Sequence, residues 1–107
     1  MLAKKFRLQI QNWLNDRNKK IFSRKSEFFI IKSSSNNLGF SRFGVIISKK
    51  VSKSAVRRNK IKRIIFNFIR LNKLHEIGGK DAAITVLPAA GQLEKTELET
   101  NLKRLLI

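Results

Sequence analysis

The chain has no cysteine, no tyrosine, one histidine, one proline and only seven acidic residues in 107. Without cysteine there are no disulfides, no thiol nucleophile and no thiolate metal site. A single histidine, His75, leaves little room for imidazole ligation or general-base chemistry. No apolar run approaches the ~18 residues of a membrane span. The opening residues Met1-Leu2-Ala3-Lys4-Lys5-Phe6-Arg7 are basic, but no apolar stretch follows them as it would in a secretory signal. A soluble cytoplasmic protein with no membrane partner is expected. The scarcity of acids stands against 24 Lys and Arg, for a net charge of +17. Solubility asks for a magnitude of only about 2–8 in a small domain. A surplus this large implies a polyanionic partner, nucleic acid before anionic membrane.

The charge is concentrated. Residues 1–75 hold 20 Lys and Arg against two acids, Asp16 and Glu27, and residues 28–75 contain no acid at all. Residues 76–107 hold four basic and five acidic residues. A basic functional region thus leans on an ordinary supporting segment. The last 32 residues are too few to fold alone, so residues 1–107 read as one domain.

Apolar periodicity divides the chain. Ile10, Trp13, Leu14 and Arg17 predict a short amphipathic helix over residues 9–17. Residues 27–32 predict a strand, with a weaker one over residues 21–25. Phe28 and Ile30 point one way along it, Phe29 and Ile31 the other, so both faces are apolar. Such a sheet is covered on both sides, or leaves one face for a ligand. Residues 33–39 are dense in Ser, Asn and Gly and predict a hairpin loop, with the returning strand at 42–48. Residues 55–73 predict the main helix, capped by Ser54 or Ser52, with Ile61, Ile64, Ile65 and Phe68 as its core stripe. Asn59, Lys62, Arg63, Arg70 and Lys73 fall on the opposite face. A strand at 81–87 and a helix at 94–106 complete the chain. The strand follows a long helical crossover, so it can lie parallel to a neighbour.

Residues 48–63 are the most informative. Eight of these sixteen are Lys or Arg and none is acidic. A strand end and small residues lead directly into a helix whose first two turns are basic. Free amides, the helix dipole and clustered cations at one place bind phosphates. Arg forks suit phosphate oxygens, and Asn59 can hydrogen-bond a ribose or a base edge. The bland alternative is a solvated helix face, but solvated faces normally mix signs.

Here Ser48-Lys49-Lys50, then Arg58-Asn59-Lys60, then Ile61-Lys62-Arg63 resemble the signature of bacterial ribonuclease P protein subunits. The glycine-containing strand Phe43-Gly44-Val45-Ile46-Ile47 before it, Arg7-Leu8 near the start and the strand closed by Pro88 fit as well. The resemblance covers nearly the whole chain. It implies an α/β sandwich in the order αβββαβα, a mixed four-stranded sheet and a left-handed crossover around the basic helix. It implies an RNA-binding subunit that helps a catalytic RNA remove the 5′ leader from precursor tRNA. The partners implied are the ribonuclease P RNA subunit and precursor tRNA, with no protein partner required. No cofactor is expected on the protein alone; Mg²⁺ in the holoenzyme is expected to be mainly RNA-bound. The RNA-facing residues implied are Lys49, Lys50, Lys53, Arg57, Arg58, Asn59, Lys60, Lys62 and Arg63. The leader cleft implied is lined by Trp13, Leu14, Phe28, Phe29 and Ile31.

The chain departs from the family at several points. Lys60 stands where Arg is usual, which keeps the charge and loses the planar fork. Phe66 stands where another Arg is usual. It lies off the core stripe and is expected either to pack against the C-terminal helix or to stack on an RNA base. Leu14 replaces a Phe. Among the remaining titratable residues, His75 is expected at the end of the main helix, where an imidazolium suits the dipole. Glu94, Glu97 and Glu99 suit the N-terminus of the last helix. Asp16 and Glu27 are far apart in sequence, and no catalytic residue is expected in the protein. A structural ribosomal RNA-binding protein is the main alternative, set apart by the basic block at the strand-to-helix junction. A DNA-binding regulator would need a helix-turn-helix and a dimer seam, and neither is present.

Overall fold

The computed structural model describes residues 2–16 and 19–107. In chain order it contains α1 (Ile10–Asn15), β1 (Phe22–Lys25), β2 (Phe29–Ser35), β3 (Arg42–Ile46), α2 (Ala55–Leu71), β4 (Lys80–Val86) and α3 (Lys95–Leu106). This is the expected αβββαβα order. Arg17, the last position of the predicted first-helix stripe, lies outside the described residues. Among the described residues no helix is long and apolar enough to cross a membrane.

The strands form one mixed sheet in the order β1-β2-β4-β3. β2 is antiparallel to β1 and β4, and β3 is parallel to β4. The predicted hairpin between residues 27–32 and 42–48 therefore does not form. β2 runs on to Ser35, and β4 inserts between β2 and β3. The physical reason lies in β4. Its Ala82, Ala83, Ile84 and Val86 are buried on both faces, and a strand apolar on both faces belongs at the centre of a covered sheet. The outer edge of β3 is protected by the N-terminal segment. Arg7 bridges to Phe43, and the Leu8 N–H donates to the Phe43 carbonyl at 2.8 Å.

α2 and α3 cover one face of the sheet. Phe29, Ile31 and Ile84 from the sheet meet Ile61, Ile65, Leu98 and Leu102 from the helices in the main core. On the other face a smaller cluster joins Leu8, Trp13 and Ala83, with Ile46 against it. Beyond that cluster the second face stays open. Ile30 and Thr85 are half-buried there and Lys32 is exposed.

Ser54 caps α2, its hydroxyl accepting from the Arg57 N–H at 3.2 Å. The helix ends at Leu71, earlier than predicted, because Lys73 turns into the left-handed region at φ 54°. His75 consequently lies in the following 3-10 turn rather than at the helix end. Its ring packs on Phe6 at 4.5 Å. α3 opens with a reciprocal capping box between Glu94 and Glu97, a local explanation of both acids.

Candidate nucleic-acid interface

The junction from β3 to α2 is built by short-range bonds that the small residues supply. The Val51 N–H donates to the Ser48 carbonyl at 3.1 Å, and the Ser54 N–H to the Ser52 hydroxyl at 3.2 Å. Val51 is buried and pins the loop to the core. The turn packs so closely on residue 91 that a Cβ there would sit 2.1 Å from the Val51 carbonyl oxygen, so only glycine fits. With its backbone fixed this way, the loop leaves Lys49, Lys50 and Lys53 exposed.

The predicted RNA-facing residues divide into two groups. Asn59, Lys60 and Arg63 are exposed and Lys62 is half-buried. Arg57 is different. Its Nε donates to the Gly91 carbonyl at 3.3 Å and its Nη2 to the Leu93 carbonyl at 2.5 Å. Arg57 thereby clamps the start of α2 to the segment that leads into α3, and most of its fork is not free for phosphate. Arg58 Nη1 donates to the Ser52 carbonyl at 2.8 Å and braces the junction while remaining half-exposed.

Asn59, Lys62, Arg63 and Phe66 follow the i, i+3, i+4, i+7 spacing of one helix stripe. They line a groove of about 810 Å³, whose other wall is the N-terminal segment with Lys4, Arg7, Leu8 and Ile10. Gly44 forms part of the floor. A Cβ there would meet the Ile10 side chain at 2.5 Å, so glycine lets the N-terminal segment settle against β3. Phe66 is only 3% exposed and belongs to the main core, so it packs rather than standing out for stacking. Lys4 and Arg7 were not among the expected RNA-facing residues. Their signal was the basic opening of the chain, but only the fold places it opposite α2.

A second cleft, of about 630 Å³, lies beside α1 on the other side of the N-terminal segment. Lys4, Lys5, Arg7, Asn12, Trp13 and Asp16 line it together with Arg42. At its base Arg42 forks onto Asp81, Nε to Oδ1 at 2.9 Å and Nη2 to Oδ2 at 2.7 Å. Asn36 Nδ2 adds a third hydrogen bond to Oδ1 at 2.8 Å. Burial pushes the Asp81 carboxyl up, but the hydrogen bonds from Arg42 and Asn36 and the Arg42 charge outweigh it and hold it below its ordinary value. The Asp81 charge is thus neutralised at the base of the cleft.

The residues expected to line a leader cleft are not brought together. Phe29 and Ile31 are 0% and 4% exposed in the main core, facing α2 and α3, so they cannot touch a ligand. Phe28 is half-buried and also packs against that core. Leu14 is 52% exposed, and Trp13 alone lines the cleft beside α1. Ile30 and Lys32 face the open side, and the charge of Lys32 is the sequence signal for that side. Among the described residues no three His, Asp or Glu side chains gather into a metal site.

The family model for Ribonuclease P matches residues 5–107. The chain belongs to the ribonuclease P protein family. It is 33% identical to the ribonuclease P protein component of Chromobacterium violaceum, over 98% of this chain and 89% of that one. A Staphylococcus aureus RNase P protein mutant with defective mRNA degradation activity superposes with a TM-score of 0.83 at 28% identity, covering 96% of this chain and 86% of that one. The RNase P protein of Thermotoga maritima, in complex with 1-(4-fluorophenyl)-2-thiourea, gives 0.79 at 26% identity, over 94% and 96%. This ribonuclease P protein is the RNA-binding subunit of a ribonucleoprotein endoribonuclease in tRNA processing. It associates with the ribonuclease P RNA, which carries out the hydrolysis.

Proposed function

We propose that the two sides of the N-terminal segment serve two different RNAs. The junction lysines Lys49, Lys50 and Lys53 and the outward face of α2 hold the RNA subunit. The open sheet face and the cleft beside α1 hold the single-stranded 5′ leader of precursor tRNA. Lys32, with Ile30 and Thr85 around it, gives the leader a phosphate contact over a partly apolar floor. Lys5, which lines only the α1 cleft, continues that positive surface toward α1.

The observation that carries this reading is the excess of cations along both surfaces: Lys4, Arg7, Lys62 and Arg63 line the groove with no acid, and Lys4, Lys5, Arg7 and Arg42 line the α1 cleft against Asp16 and Asp81. Of the two acids, Asp81 lies at the base on the sheet, and Arg42 and Asn36 occupy its oxygens. Close approach of two RNAs is opposed by phosphate repulsion, and a strongly cationic body lowers that cost. Mg²⁺ then belongs to the RNA, and the protein contributes charge and placement. We place this work in the cytoplasm, with the RNA subunit.

Lys32→Glu tests the leader assignment. Lys32 is exposed on the open face, so the substitution leaves the core intact. In the holoenzyme it should weaken precursor tRNA binding several-fold, leave mature tRNA binding unchanged and leave assembly with the RNA subunit unchanged. Equal loss for precursor and mature tRNA, or no loss for either, would remove the open face from leader binding.

A further inference from the structure

The groove between α2 and the N-terminal segment has a composition that the charge argument alone does not explain. Its rim carries four cations, Lys4, Arg7, Lys62 and Arg63, and no acid. Among the described residues none of the four is in an ion pair. Its floor, by contrast, is apolar: Phe66 from α2, Leu8 and Ile10 from the opposite wall, and Val45 from β3. Asn59 stands between rim and floor, one turn before Arg63 on the same stripe. A surface that only met phosphates would need the rim and not the floor. An apolar peptide would need the floor and would be repelled by nothing, but it would leave four cations without partners. A volume of about 810 Å³ is that of a site for a small organic molecule, within the ~300–1,000 Å³ usual for such sites.

We propose that this groove receives one unpaired nucleotide of the RNA subunit, turned out of its helix. The base enters the groove and covers the apolar floor. The Asn59 amide, which both donates and accepts, hydrogen-bonds the edge of the base. Arg7 on one wall and Lys62 and Arg63 on the other hold the phosphates on either side of it. The source is the RNA subunit rather than the leader because the stripe is continuous with the outward face of α2. The inference rests on the assignment of that face to the RNA subunit and adds a site for a single base within it.

The test uses the reconstituted holoenzyme and three variants. Asn59→Trp fills the groove from its exposed rim without touching the core stripe. Asn59→Ala removes the hydrogen bond without filling anything, and should fold even if the larger residue does not. Lys62→Ala removes a phosphate contact. Affinity for the RNA subunit is measured as a function of salt. Chemical probing of the RNA subunit, by base methylation and 2′-hydroxyl acylation, is done with and without each protein. Wild type should protect one unpaired nucleotide, and both Asn59 variants should restore its reactivity. Leaving a buried polar edge of the base unpaired costs roughly 5- to 150-fold in affinity, so Asn59→Trp should lose at least the lower figure with an unchanged salt slope. Lys62→Ala should instead reduce the slope by about 0.7–0.9.

The possible failures are distinct. If Lys62→Ala alters neither affinity nor slope, the assignment of the α2 face to the RNA subunit fails, and this inference with it. If Lys62→Ala behaves as expected while both Asn59 variants keep wild-type affinity and protection, the face stands and the nucleotide site is wrong. Protection of a leader nucleotide in place of one in the RNA subunit would also overturn the proposal.

Discussion

The indole N–H of Trp13 donates to the hydroxyl of Ser34 at 2.8 Å, and both side chains are buried. The bond ties α1 to β2 across the end of the open sheet face. Lys19 closes over the indole, its Nζ 4.7 Å from the ring centroid. Trp13 is therefore first a packing residue, in a cluster with Leu8 and Ala83, whose edge also borders the α1 cleft. Trp13→Ala should cost about 3–5 kcal/mol of stability. Trp13→Phe keeps most of the apolar contact and leaves Ser34 without its donor, for about 1–3 kcal/mol. Denaturant unfolding of the two variants checks both values. A loss below 1 kcal/mol for Trp13→Ala would mean that α1 is not held by this contact.

Asp81 makes stability depend on pH in a direction that can be worked out. Its folded carboxyl titrates below its ordinary value, 3.8. The unfolded chain therefore binds the proton more readily than the folded one. The stabilisation is complete above the unfolded value and is lost as pH falls through the folded one. Thermal unfolding followed from pH 6 downward should show a fall beginning near pH 4 in the wild type. Asp81→Asn should be less stable at pH 6 by about 1–3 kcal/mol, the range for hydrogen bonds to charged groups, and should show a shallower acid decline. Parallel acid profiles for the two proteins would remove the Arg42–Asp81 pair from the account.

Two neighbouring basic residues of α2 should behave differently. Arg57 donates to the Gly91 and Leu93 carbonyls, so Arg57→Ala should lower stability by about 1–2 kcal/mol, a partly exposed charged contact. Arg63 is exposed with no such bonds, so Arg63→Ala should leave stability within about 0.5 kcal/mol of wild type. Its effect should fall on RNA-subunit binding, with the salt slope reduced by about 0.7–0.9. Unfolding curves and salt-dependent binding of both variants separate the roles. Identical behaviour in both measurements would contradict the division.

These contrasts mark what could be read from the residues and what could not. The core stripe Ile61, Ile64, Ile65 and Phe68 and the outward Asn59, Lys62 and Arg63 follow from helix period alone and are found where that period puts them, while the choice of Ser54 over Ser52 as the cap is settled only by the structure. Strand parity was not readable from Phe28, Phe29, Ile30 and Ile31, since apolar residues occupy both parities. Only Lys32, one step further, distinguishes them. The sheet order rests on β4 entering between β2 and β3, a pairing between residues some 50 positions apart that no local pattern encodes. Arg57 is turned inward by carbonyls 34 and 36 residues away, so its sequence neighbours could not distinguish it from Arg58. The groove, likewise, exists only because the N-terminal segment folds back along β3.

The central claim is that this protein assists an RNA that does the chemistry and does not cleave RNA itself. The direct measurement is precursor-tRNA processing at low Mg²⁺ by the protein alone, by a bacterial ribonuclease P RNA alone, and by the two together. The protein is first treated with nuclease and repurified to remove any RNA that travels with it. The account predicts no cleavage by the protein, little by the RNA and release of the 5′ leader at the mature end by the mixture. Cleavage at that position by the RNA-free protein, or no gain from adding it to the RNA, would contradict the account.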